Sequence, residues 1–260
     1  MGTESAQPRR QLRRRLTAEE KLEEAKRTKI AKEEEFERRN KRPFLKYPGK
    51  IVYHTEMIDI AYCSDKLLTK ANESADVLII GFDLEWPFSF QTGPGNVAVI
   101  QISPDLTNCY IFHISRLKKL PKGLSEFLAH DNVRLTGNNI KNDVRKLARD
   151  FVGFNVDKMI DNCIDLGVMA NTILPTTQRW SLEKLVDRLL DLKINKDKKV
   201  RQSKWHIIPL SNAQKQYAAI DAYKLFFRHR YCSTKNYYRK KRLGKIKKIV
   251  VRTRCSKGYK

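Results

Sequence analysis

With 260 residues, 41% of them hydrophobic, the chain has room for one domain of ordinary size plus extensions. Its net charge of +24 sits at the ends: residues 1–46 hold 15 Lys/Arg against 9 Asp/Glu, residues 224–260 hold 15 against none, and 47–223 carry only +3; such tails suit a polyanion, either nucleic acid or an anionic membrane surface. No run approaches the roughly 18 apolar residues of a membrane span, the N-terminus lacks the apolar core of a signal peptide, and Cys63, Cys109, Cys163, Cys232 and Cys255 are odd in number, scattered and without a CxxC pair, which argues for a reducing compartment and against structural zinc.

The chain opens on mixed charge with few apolar residues, and Thr17 and Glu20 form a capping box. Residues 1–42 are therefore expected to be a charged tail, either a solvated helix or disordered, because nothing there can pack as core. "KIVYH" (50–54) is the first strand candidate, and "DIAYCSDKLL" (59–68) an amphipathic helix. "DVLIIGFDLEW" (76–86) reads as a buried strand, followed by the turn-rich "PFSFQTGPG". "NVAVIQIS" and "NCYIFHI" predict a hairpin or meander. "GLSEFLAH" predicts a short helix, "VRLTGN" a strand and "IKNDVRKLARDF" (140–151) a helix. "WSLEKLVDRLLDL" predicts a helix capped by Ser181, and the last helix starts at a second capping box, Ser211 with Gln214. One α/β domain follows.

The strand at 76–86 poses a problem, because burying a carboxylate costs several kcal/mol unless something compensates it. Asp83 and Glu85 stand two apart, so a strand projects both from one face, where they cannot neutralise each other. Asp143 opens a helix, and Tyr217 and Asp221, at i and i+4, share a helix face. Each has a plain structural explanation alone: a helix-dipole aspartate, and a tyrosine hydrogen-bonded to a carboxylate. Together Asp83, Glu85, Asp143 and Asp221 offer four negative charges, which two divalent cations balance. Oxygen ligands suit Mg²⁺ or Mn²⁺, and a pair of such ions is a known solution for hydrolysing phosphodiesters.

"FDLEW", "IKNDVRKL" and "YAAIDAY" resemble the three motifs of the DEDDy class of 3′→5′ exonucleases. "GFDLEWPF", "AVIQIS", "WSLEKLV" and "DKKVRQSKWHIIPLSNAQKQYAAIDAY" resemble the exonuclease domain of the Werner syndrome protein, and "WPFSFQTGPG" resembles its stand-alone relatives without a helicase. No GxxxxGK[ST] P-loop is present. The resemblance spans about residues 43–230, so a basic tail, 231–260, is left over. It implies a ribonuclease H-like α/β fold, a mixed sheet flanked by helices. It also implies that Asp83, Glu85, Asp143 and Asp221 bind two divalent cations and that Tyr217 positions the attacking water.

The expected activity is 3′→5′ exonuclease action on DNA, at recessed 3′ ends of duplexes or on single strands, in repair, replication or recombination. RNA trimming of the RNase D type is the alternative. A non-catalytic nucleic-acid-binding module predicts damaged motifs, and here all four carboxylates and the tyrosine are present. Phe88 or Phe90 either wedges against a terminal base or packs in the core. Lys141, Arg145, Lys146, Arg149, Arg201 and Lys204 are expected phosphate contacts; Arg145 stands where the Werner protein itself has an aromatic. "PRRQLRRR" and "YRKKRLGKIKK" resemble nuclear import signals, so a nuclear location is expected.

Overall fold

The computed structural model describes residues 17–173, 179–194 and 197–223. The chain divides into two units, Met1–Pro43 and Phe44–Lys260. In the first, α1 (Ala18–Lys41) is a helix with no buried residue. Its capping box closes as read: Glu20 N donates to Thr17 Oγ1 (3.2 Å) and Thr17 N to Glu20 Oε2 (2.8 Å). Of the two readings left open for this segment, helix holds over the described part. Residues 1–16 and 224–260, with both basic runs, Cys232 and Cys255, lie outside the described residues.

The second unit is built on a six-stranded mixed sheet. Its elements in chain order are β1 (Lys50–His54), α2 (Met57–Glu73), β2 (Leu78–Glu85), β3 (Phe88–Ser89), β4 (Gly93–Pro94), β5 (Val99–Ser103) and β6 (Asn108–His113). Then come α3 (Lys122–Leu128), β7 (Val133–Gly137), α4 (Ile140–Asp150), α5 (Val156–Asp161), β8 (Cys163–Asp165) and α6 (Leu166–Ile173). The last are α7 (Leu182–Leu190), α8 (Lys198–Arg201) and a helix over 212–223, α9. The sheet order is β1-β6-β5-β2-β7-β8. β5 is antiparallel to β2 and β6; β1 runs parallel to β6, and β7 runs parallel to both β2 and β8. "VIQIS" and "NCYIFH" form the expected hairpin. The "PFSFQTGPG" segment departs from a plain loop: β3 and β4 pair as a separate small hairpin.

The two-residue period of β2 assigns its faces. Ile80, Phe82 and Leu84 enter a core with Ile60 and Leu67 of α2, Leu124 of α3 and Val144 and Leu147 of α4. Asp83 and Glu85 therefore project from the opposite face, where Val99, Cys109 and Ile111 pack under Trp205, Leu210 and α9. Ala218, Ala219 and Ala222 are fully buried there; their small side chains let α9 lie close to the sheet. Among the described residues Cys63, Cys109 and Cys163 are free thiols, and no helix is long and apolar enough to cross a membrane.

Candidate active site

β2 supplies Asp83 and Glu85 near its C-terminal end, and α9 brings Asp221 against them. One carboxylate oxygen from each of the three lies within 4.8 Å of the others. Asp221 is buried, and Asp83 and Glu85 are half-buried. Leu84 N donates to Asp83 Oδ1 at 3.0 Å, which fixes one oxygen of the carboxylate. The capping box of α9 sets the helix start, with Ser211 N donating to Gln214 Oε1 (2.9 Å) and Gln214 N to Ser211 Oγ (3.2 Å). Gln214 Nε2 then donates to Ser203 Oγ (2.9 Å), tying α9 to the segment after α8.

Tyr217, one turn before Asp221, lines the same cleft of about 620 Å³. Burial, then the negative charges of Glu85 and Asp83, hold its phenol far above the ordinary tyrosine range, with Arg201 pulling the other way. The hydroxyl therefore keeps its proton at neutral pH. Its ring leans on Trp205, centroids 6.0 Å apart, and the Trp205 indole Nε1 donates to the Arg201 carbonyl at 3.0 Å. One buried tryptophan thus orders both Tyr217 and the turn that carries Arg201.

Asp143 enters from α4 and stands outside the three-carboxylate group. It is half-buried, and its pKa is pushed up to about 8, chiefly by burial and then by the charges of Asp83 and Asp165. Asp165, absent from the sequence reading, accepts from Asn139 N (2.7 Å), Gly167 N (2.8 Å) and Val168 N (3.0 Å). It thereby pins the turn into α4 and caps α6. Gly137, the last residue of β7, is required by space: a Cβ there would meet the Ile140 Cβ at 2.7 Å.

The remaining sequence candidates divide. Phe88 and Arg201 line the cleft. Phe88 and Phe90 are 59% and 95% exposed, so the core-packing reading fails for both. Arg145 and Arg149 line a different, shallow depression on the outer side of α4 with Asn142 and Val156. Lys204 is exposed and does not line the cleft. Lys146 is a correction: it is 7% exposed and pairs with Asp150 instead of standing free for phosphate. The sequence reading also missed Asn138, Ser181 and Gln202 in the cleft wall. It missed Gln101 too, which is fully buried in register with Asp83, its side-chain amide without a hydrogen-bond partner among the described residues. "VIQIS" carried that signal, a lone amide in an apolar strand.

The family model described as "3'-5' exonuclease" matches residues 56–227. Curated proteins named "3'-5' exonuclease" from Drosophila erecta and Drosophila melanogaster are each 50% identical over 190 residues, covering 73% of this chain and 54% of theirs. The chain thus spans about half the length of the curated relatives it matches. Among solved structures, the catalytic core of RRP6 from Trypanosoma brucei superposes with a TM-score of 0.57 at 20% identity, covering 76% of this chain and 50% of that one. Brucella melitensis NrnC with bound Mg²⁺ gives 0.53 at 22% identity, with 75% and 84% covered. Escherichia coli RNase D, an exoribonuclease, gives 0.54 at 15%, with 73% and 46% covered. The fold is the ribonuclease H-like mixed sheet flanked by helices. Exonucleases of this type use divalent metal ions, Mg²⁺ or Mn²⁺. The donor set fits them: three converging carboxylates, all oxygen, with a net charge that needs a cation. The chain belongs to the 3'-5' exonuclease family.

Proposed function

We propose that the chain is a metal-dependent 3′→5′ exonuclease of the Werner type acting on DNA, hydrolysing the last phosphodiester of a 3′ end. The observation that carries this is the convergence of Asp83, Glu85 and Asp221 within 4.8 Å in one cleft with Tyr217. Asp83, Glu85 and Asp221, with Asp143 approaching from α4, would hold two divalent cations. When bound, these neutralise the carboxylates and polarise the scissile phosphate and its attacking water. Tyr217 holds that water by its hydroxyl, which stays protonated beside two carboxylates. Water adds to phosphorus, the bond to the preceding 3′ oxygen breaks, and a nucleoside 5′-monophosphate leaves a strand one nucleotide shorter. Arg201, on the cleft wall, faces the phosphate path, and Lys204 follows it outside.

DNA is favoured by the match to the stand-alone Werner-like pattern, "GFDLEWPF" and "WPFSFQTGPG". Action on recessed 3′ ends, a role in DNA repair and a nuclear location belong to the same reading. So does the division into a charged segment 1–42, an exonuclease domain 43–230 and a basic tail 231–260. A time course on matched 5′-labelled DNA and RNA, each as single strand and as recessed duplex, tests it in Mg²⁺ and in Mn²⁺. The expected result is stepwise shortening of DNA by wild type and none by Asp83→Asn/Glu85→Gln. Faster shortening of RNA replaces DNA with the RNase D-type alternative. Loss of neither substrate under any metal removes the exonuclease reading.

A further inference from the structure

The β3–β4 hairpin begins three residues after Glu85, the last residue of β2, and the chain returns to the sheet at β5. It carries Phe88 in β3 and Phe90 in the turn, with rings perpendicular and centroids 5.4 Å apart. Phe88 lines the carboxylate cleft, while Phe90 is almost wholly exposed. Two large aromatic rings left in water beside a cleft have an unused capacity, since every nucleobase has a face to stack on them.

The hairpin is held from below. Phe88 pairs with Pro94 and Ser89 with Gly93, whose φ of +76° suits glycine. Gly95 N donates to Pro87 O at 2.8 Å. Lys146 of α4, its ammonium buried, donates to Gly95 O at 2.8 Å and pairs with Asp150 one turn on. Asp150 Oδ2 accepts from Val97 N at 2.7 Å, and the Lys146 ammonium lies 5.7 Å from the Trp86 ring centroid. The ion pair therefore grips the returning strand on both sides of Asn96. The helix that does so is the one that carries Asp143, three residues before Lys146.

A buried ion pair is weak evidence for stability, because desolvation offsets most of its attraction. Its use here is geometric. We propose that Lys146 and Asp150 are positioning residues that fix the hairpin to α4, so that Phe88 and Phe90 form a stacking platform for the bases next to the 3′ end of a single-stranded DNA. The platform and the carboxylates are thereby set in one frame: a strand stacked on the rings presents its terminal phosphodiester at a fixed distance from Asp83 and Glu85. The inference rests on the exonuclease reading for the identity of the ligand.

The test measures binding, with no turnover required. Fluorescence anisotropy in EDTA at low salt compares a 5′-labelled DNA single strand with the same strand made abasic at its last three nucleotides. Wild type should prefer the intact strand by roughly 5- to 100-fold, the effect of stacking one base on an aromatic ring. Phe88→Ala/Phe90→Ala, which changes only exposed side chains, should erase the preference without lowering the melting temperature. Lys146→Met/Asp150→Leu removes the charges together, a swap that buried pairs commonly tolerate, and should shrink the preference while the metal-induced rise in melting temperature persists. Gly95→Ala, whose new methyl would meet Pro87 Cγ at 2.8 Å, displaces the same hairpin base by a local route and should act likewise. No preference in wild type, or an undiminished one in Phe88→Ala/Phe90→Ala, overturns the platform. An undiminished preference in both the ion-pair and glycine variants overturns the positioning role. A wild type that stacks bases yet never releases nucleotides in Mg²⁺ or Mn²⁺ counts against the exonuclease reading and leaves the platform standing.

Discussion

Tyr217 is the residue at which a structural and a chemical role separate most cleanly. Its ring packs on Trp205, and its hydroxyl shares a cleft with Glu85 and Asp83. Tyr217→Phe keeps the ring and removes only the hydroxyl. The cleavage rate should fall roughly 10²-fold, the usual worth of positioned proton-transfer assistance. Substrate affinity should change far less, because the lost interaction belongs to the transition state. A hydroxyl with a purely structural role predicts the reverse, about 1 kcal/mol of stability lost and turnover kept. Single-turnover kinetics beside a melting curve decides. The carboxylates answer to a different measurement. An ion that binds only the folded chain stabilises it by mass action, so Mg²⁺ or Mn²⁺ should raise the melting temperature of wild type. In Asp83→Asn/Glu85→Gln that response should flatten, and an undiminished rise would place the metal elsewhere.

The elements that build the site were legible to different degrees. β2 announced itself through an apolar run broken by two carboxylates of one parity, and α9 and α7 through their caps; Lys184 N indeed donates to Ser181 Oγ at 3.2 Å. β8, with three residues, α8, with four, and the two-residue strands of the small hairpin are too short to show a period. Lys146 misled for another reason. A lysine four residues before an aspartate on a helix ordinarily marks a solvated pair, and only the packed hairpin makes this one buried. Three-dimensional packing also hides His113 of β6. The Tyr53 hydroxyl of β1 accepts from Leu210 N (3.1 Å), just ahead of α9, and lies 2.8 Å from His113 Nδ1. These contacts join β1, β6 and the start of α9. Burial, helped by the charges of Arg116 and His206 and opposed by the Trp205 backbone, lowers the His113 pKa to about 4. The folded imidazole is neutral where the unfolded one, near 6.5, already binds a proton, so the unfolded state gains protons first as pH falls. Stability is present above about pH 6.5 and is lost as pH falls from there toward 4. Melting temperatures measured across that window should decline, and His113→Phe should decline less steeply.

At the scale of the whole molecule the charges present a conflict that the sequence alone resolves only in part. A site where Asp83, Glu85 and Asp221 converge within 4.8 Å repels a polyanion, and residues 47–223 carry only +3 in all. The basic excess lies instead in residues 1–46 and 224–260, at +6 and +15. Under the proposed function, affinity and chemistry are divided along the chain: the tails are expected to draw the nucleic acid in, and the cleft to act on the end that reaches it. Attraction of this kind works through counterion release, so each phosphate neutralised by a tail steepens the fall of log K with log salt. Deleting residues 1–42 and 232–260 should make that slope markedly shallower. Cleavage should survive in low salt, because Asp83, Glu85, Asp143, Tyr217 and Asp221 all remain, and the gap between the 260-residue and shortened chains should narrow as salt rises. Affinity titrations of both chains on one labelled DNA, at several salt concentrations, give the two slopes. A shortened chain that keeps the full slope would move the binding surface onto the domain itself, to the face of Arg201 and Lys204.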